Sequence, residues 1–148
     1  MTKFAFPLKT VERVREVARD ERRGQLADAL RVDGELARQQ QELTGELDAL
    51  RERQRTPLGA VDVDKLLEQQ RYELLLRAQM SNLIEQRMHV NKEIEQRRQM
   101  LVEADREVKV VAKLRSQQFE RWRLEQARAE QRMLDEVATL KHYRGDVD

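Results

Sequence analysis

The side chains best suited to chemistry in this 148-residue chain are few and scattered. His89 and His142 are the only histidines, Ser81 and Ser116 the only serines, and there is no cysteine. An enzyme nucleophile needs a base within hydrogen-bond reach and a third group to orient that base. The two histidines lie too far apart along a helical chain to act together, so no such set can be assembled, and both read as solvated surface residues. Asp135 and Glu136 look inviting as metal ligands. Neighbouring helical residues diverge, however, and neither acid has a histidine three or four positions further on. Gly59 stands alone where a phosphate-binding loop would need a glycine-rich turn ending in Lys and Ser or Thr. The expectation is a protein that is not an enzyme, with no metal, no cofactor and no small-molecule substrate.

The elements that would have to position any site are themselves unusual. Charged residues make up 39% of the chain, hydrophobic residues another 39%, and aromatic residues only 4%. That is too much charge and too little bulk for a globular core, and it matches long helices and coiled coils. Disorder is excluded because apolar residues recur at regular intervals and Pro is nearly absent.

One interruption, Thr56-Pro57-Leu58-Gly59, divides the helix-forming sequence. The expected fold is all-α: a single coiled-coil domain over residues 1–148, built as a long antiparallel two-helix hairpin. Helix one is expected from about residue 8 to 55, a turn over 56–61, helix two from about 62 to 141, and a short tail over 142–148. Pro7 suits a first helical turn, where its missing N–H costs nothing, and Asp62 or Asp64 can cap the second helix. Gly24, Gly34 and Gly45 weaken helix one without ending it. So short a connection makes the helices antiparallel neighbours.

Helix two carries a seam of Leu76, Met80, Leu83, Arg87, Val90, Ile94, Arg97, Leu101, Ala104, Val108 and Val111. Its steps of four and three give the 3.5 period of a left-handed coiled coil. In helix one the apolar stripe is expected at Leu8, Val11, Val14 and Ala18, and again at Leu26, Leu30, Leu36, Leu43, Leu47 and Leu50. Counting outward from a turn near Leu58, Leu43 faces the Leu76 region and Leu8 the Val110 region. Helix one is then exhausted. Past Val111 the stripe continues through Phe119, Trp122, Ala129, Met133, Val137 and Leu140 with nothing in the chain to cover it. An uncovered apolar stripe of that length reads as a docking face.

The charges are balanced, with 29 basic and 28 acidic residues overall and 12 against 11 before Asp62. A nucleic-acid arm is not expected. Glu73 with Arg77, Glu93 with Arg97 and Asp105 with Lys109 are spaced as favourable i,i+4 pairs. No run of eighteen apolar residues occurs and the first residues lack the apolar core of a signal peptide, which makes the cytoplasm the expected compartment.

Several short motifs then match a known family in order and position. Phe4-x-Phe6-x-Leu8, Tyr72-x-x-x-Leu76, Lys113-Leu114-Arg115 and Glu130-Gln131-x-x-Leu134-Asp135-Glu136-x-Ala138 resemble the flagellar export protein FliJ family, and the two-helix layout agrees along the whole chain. The resemblance implies a stalk-like component of the flagellar type III export apparatus. Such a protein stimulates a hexameric export ATPase, contacts the membrane export gate and export chaperones, and associates peripherally with the inner face of the cell membrane. It implies an ATPase-binding face at Phe119, Trp122, Met133, Leu134 and Val137. It also implies a gate-binding stripe at Tyr72, Leu76, Gln79 and Leu83, where Gln79 and Leu83 depart from the small and polar residues of the family pattern. The free chain is expected to be monomeric. Alternatives left open are a generic coiled-coil scaffold that pairs with its own copy, the equivalent stalk protein of an injectisome, and a helical hairpin binding nucleic acid.

Overall fold

The computed structural model describes residues 2–55, 59 and 62–145. Two helices account for nearly all of them: α1 (Lys9–Arg55, 47 residues) and α2 (Val63–Gly145, 83 residues). They pack against each other as a helical hairpin with the second helix the longer, as the seam requires. Of the expected turn only Gly59 falls among the described residues. Its φ of 103° lies in the left-handed region that favours a residue without Cβ.

The helix starts follow from local chemistry. Pro7 precedes α1, and the Leu8 carbonyl accepts the first helical bond, from Glu12 N–H at 2.9 Å. At α2, Asp62 is the cap: its Oδ1 accepts from Asp64 N–H at 3.1 Å while its carbonyl accepts from Leu66 N–H at 3.1 Å. The second helix continues past the expected end at Lys141 to Gly145. Nothing in His142-Tyr143-Arg144 breaks it, and His142 and Arg144 put positive charge on the last turn, where the helix dipole favours it. Gly24, Gly34 and Gly45 are helical, and a Cβ at each would meet nothing within 4 Å.

Side-chain packing forms two compact units, Asp20–Val102 and the flanking Met1–Arg19 with Glu103–Asp148. In the first, Ala29 and Leu50 from α1 are buried along with Leu76, Leu83 and Ile94 from α2. The seam's two charged residues there are partnered. Arg87 donates to Asp33 at 3.1 Å and to Gln40 at 2.8 Å, and Arg97 donates to the Gln25 carbonyl and to Glu93. In the second unit the buried residues are Phe6, Val108 and Val111, with ion pairs Arg15–Glu107 at 2.6 Å and Arg115–Glu12 at 3.0 Å. All eleven seam residues read from α2 are buried or half-buried. The three anticipated i,i+4 pairs also form, at 2.6 Å for Glu73–Arg77, 2.5 Å for Glu93–Arg97 and 2.9 Å for Asp105–Lys109.

Helix α1 departs from the expected stripe. Val14 is 60% exposed and Val11 and Leu30 are also exposed, whereas Glu12, Arg19, Arg22 and Ala29 turn inward. The register is set by the strongly apolar end. Leu26, Ala29, Leu36, Leu43, Leu47 and Leu50 fit a step of alternating three and four, and carrying that step back toward the start of α1 lands on Arg22, Arg19, Arg15 and Glu12 rather than on the valines, with Arg15 alone of the four exposed.

Candidate functional site

The residues past Val111 on α2 are expected to be bare. Their first part is covered, by the segment Thr2–Phe6 ahead of α1. Phe4 stacks edge-on against Phe119, with centroids 5.4 Å apart and planes at 80°. It also lies 5.9 Å from Trp122, and Phe119 and Trp122 are themselves 5.8 Å apart. Phe6 is buried, and the Thr2 hydroxyl donates to Gln126 Oε1 at 3.1 Å. Such an aromatic triad has the edge-to-face and tilted geometry that ring quadrupoles favour.

The expectation failed for a geometric reason. Extended chain advances about 3.3 Å per residue against about 1.5 Å in a helix. Thr2–Phe6, ahead of the turn at Pro7 and Leu8, therefore spans roughly as much of α2 as eleven helical residues would, enough to carry cover from the start of α1 to the neighbourhood of Gln126. Counting one residue of helix one against one of helix two ended the hairpin too early. The signal was present: Phe4 and Phe6 alternate with period two ahead of a proline, and that pattern puts both rings on one side of an extended strand.

Beyond Gln126 the cover ends. Every residue from 127 to 145 is exposed, with Met133 at 68%, Leu140 at 64% and Tyr143 at 70%. At about 100° per residue, Phe119, Trp122, Met133, Val137 and Leu140 share one narrow sector of α2. Leu134, 64% exposed, stands about 60° from Val137 and borders that sector on its far side from Trp122 and Leu140. The structure thus leaves Met133, Val137 and the neighbouring Leu134 exposed and places Phe119 and Trp122 on a partly covered continuation of the same sector.

The stripe implied for a second partner lies in the other unit. Leu76 is 2% exposed and Leu83 is buried, both within the seam, while Tyr72 and Gln79 face solvent. The Tyr72 hydroxyl donates to Glu46 Oε2 at 3.1 Å. That hydrogen bond, helped by the carboxylate's charge, raises the phenol above its ordinary pKa. A shallow groove of about 370 Å³ runs beside it, with Leu43 and Leu83 between Gln39, Glu42, Glu46 and Gln79.

His89, His142, Ser81 and Ser116 are all exposed. Among the described residues no three His, Asp or Glu side chains converge as metal ligands would. Asp135 accepts instead from Gln131 Nε2 at 3.1 Å. No described helix is long and apolar enough to cross a membrane. Among the described residues the arrangement offers contact surface, with an aromatic patch and a bare apolar face on the last part of α2.

A family model described as flagellar FliJ protein matches residues 4–146, and the chain belongs to that family, whose members are components of the flagellar export apparatus. No curated protein and no solved structure matches it.

Proposed function

We propose that this FliJ-family chain is a non-enzymatic coupling component of type III export, whose α2 end docks on the hexameric export ATPase and stimulates it. The observation that carries the reading is the apolar face of α2 past Gln126, with Met133, Val137 and Leu140 all exposed and aligned. Leaving that much apolar area in water is unfavourable, and a ring of ATPase subunits offers a concave surface to bury it. A helix end that makes different contacts with each subunit couples its own position to the ring's hydrolysis cycle.

The same reading assigns the membrane export gate to the region of Tyr72 and Gln79. Leu76 and Leu83 are spent on the seam and act there by holding α2 in place. Export chaperones are further partners, and the protein works from the cytoplasm at the inner face of the cell membrane. Balanced charge supports protein partners over nucleic acid, whose binding would need a basic surface.

Removing residues 127–148 tests the docking face. Stimulation of the export ATPase should fall to near its basal rate while circular dichroism shows the remaining helices intact. A truncated chain that stimulates as well as the full one refutes the reading.

A further inference from the structure

We infer that the segment Thr2–Phe6, ahead of the turn that leads into α1, is a displaceable strap: it stands in for a partner on Phe119 and Trp122 and is pushed aside when the free face of α2 docks. The inference rests on the docking reading above and adds to it a regulated extension of the same face.

Three observations support it. First, the strap is held mainly by side chains. Among the described residues its main chain makes one backbone hydrogen bond, from Lys9 N–H to the Phe6 carbonyl at 3.3 Å. Phe4, Phe6 and the Thr2 hydroxyl supply the other contacts described above. A segment without a main-chain ladder can leave without breaking secondary structure. Second, its cover is partial. Phe119 keeps 42% of its surface exposed beneath it, so a better-fitting occupant gains area. Third, the covered and bare stretches are one surface. Phe119 and Trp122 lie in the same sector of α2 as Met133, Val137 and Leu140, so a partner following that face toward the seam meets the strap at Gln126.

The chemistry fits exchange. The incoming surface would present an apolar or aromatic side chain where Phe4 sits, and an amide or hydroxyl to satisfy Gln126. The strap then acts as a competitor in the same molecule, lowering the apparent affinity by the fraction of time it is closed. Its displacement would make Trp122, the one tryptophan of the chain, part of the interface. Buried tryptophans carry a large share of binding energy.

The chain has no cysteine, so Thr2→Cys with Gln126→Cys can be joined by a short cleavable bismaleimide in the full-length protein. Joined, it should need about tenfold more protein, or worse, for half-maximal stimulation of the export ATPase than the same double variant before joining, and cleavage of the linker should restore that unjoined value. Phe4→Ala with Phe6→Ala should act oppositely. It should shift Trp122 emission to the red in the free protein and lower the half-maximal concentration several-fold. Circular dichroism of each variant reports whether the helices remain.

A joined protein that stimulates like the parent overturns the strap inference. If the chain lacking residues 127–148 is inactive at the same time, the docking reading survives alone. Full stimulation by that truncated chain overturns both.

Discussion

The half-buried cluster of Arg87, Asp33 and Gln40 makes the sharpest test of how the seam is held. Arg87 lies between buried Leu83 and Ile94 on α2, and its side chain is 32% exposed against 22% for Asp33. Replacing Arg87 by Leu leaves a largely buried carboxylate and an amide without their donor. An orphaned polar group of that kind costs about 1–3 kcal/mol, and residual exposure puts this case toward about 1–2 kcal/mol. Replacing both partners, as Asp33→Leu with Arg87→Leu, removes the orphan and adds two leucines to an apolar seam. Apolar replacements of buried ion pairs are often neutral or stabilising by about 1–4 kcal/mol, so the double variant should be at least as stable as the parent. Asp33→Leu alone leaves the Arg87 guanidinium only Gln40 and should cost about 1 kcal/mol, so the interaction energy in the double-mutant cycle should be about 2–3 kcal/mol. Urea unfolding followed by far-UV circular dichroism supplies each value, provided the dependence on urea concentration is unchanged among variants. Solution mass supplies the second readout. With the seam uninterrupted, register and chain number lose a constraint, so the double variant should show mixed oligomers absent from the parent. Additivity of the two substitutions within about 0.5 kcal/mol would refute the assigned coupling.

Gly24, Gly34 and Gly45 have open space where a Cβ would go, and each change to Ala should stabilise α1 by about 0.5–1 kcal/mol in urea unfolding, nearly additively because the sites lie roughly 15 Å or more apart along the helix; a loss of stability would mean the open positions serve a contact. Tyr72 should titrate late, because the hydrogen bond to Glu46, and then the carboxylate charge, raise its pKa in the folded state. That contribution is complete below the unfolded phenol value of about 10 and disappears as pH rises through the folded value. Absorbance titration should show a late tyrosine phase that Tyr72→Phe removes, and an identical titration in the variant would exclude the bond.

The hairpin was legible because its evidence is periodic. Eleven residues of α2 keep an unbroken step of four and three, and only a partner helix along that stretch satisfies it. The α1 stripe was harder. Val11, Val14 and Ala18 have acceptable helical spacing, so one helix alone offers two faces, and the choice between them depends on the register set by Leu36, Leu43, Leu47 and Leu50 further along. The strap was missed for a different cause. A count that advances both arms of the hairpin at helical rise cannot see that five extended residues reach as far as eleven or so helical ones. Leu76 and Leu83 show the converse limit: the sequence places them both on the α2 seam and on the stripe implied for a partner, and their burial agrees with the seam.

The two ends of α1 are built from different materials, and this bears on which part of the protein can change. Within Asp20–Val102, Ala29, Leu50, Leu76, Leu83 and Ile94 supply continuous apolar burial. In the unit that includes the start of α1, the inward positions Glu12 and Arg19 are charged, and Glu12 leaves one buried oxygen, Oε2, without a hydrogen-bond partner. Ion pairs at half-exposed positions contribute little, so Val108, Val111 and Phe6 carry most of the hydrophobic stabilisation there. A region with few buried apolar residues opens at lower free energy than one with many. Hydrogen exchange should therefore find backbone amides around Glu12 and Arg15 protected less than those around Leu43 and Leu83. The strap therefore packs against the less stable unit, although its own release needs no helix to open.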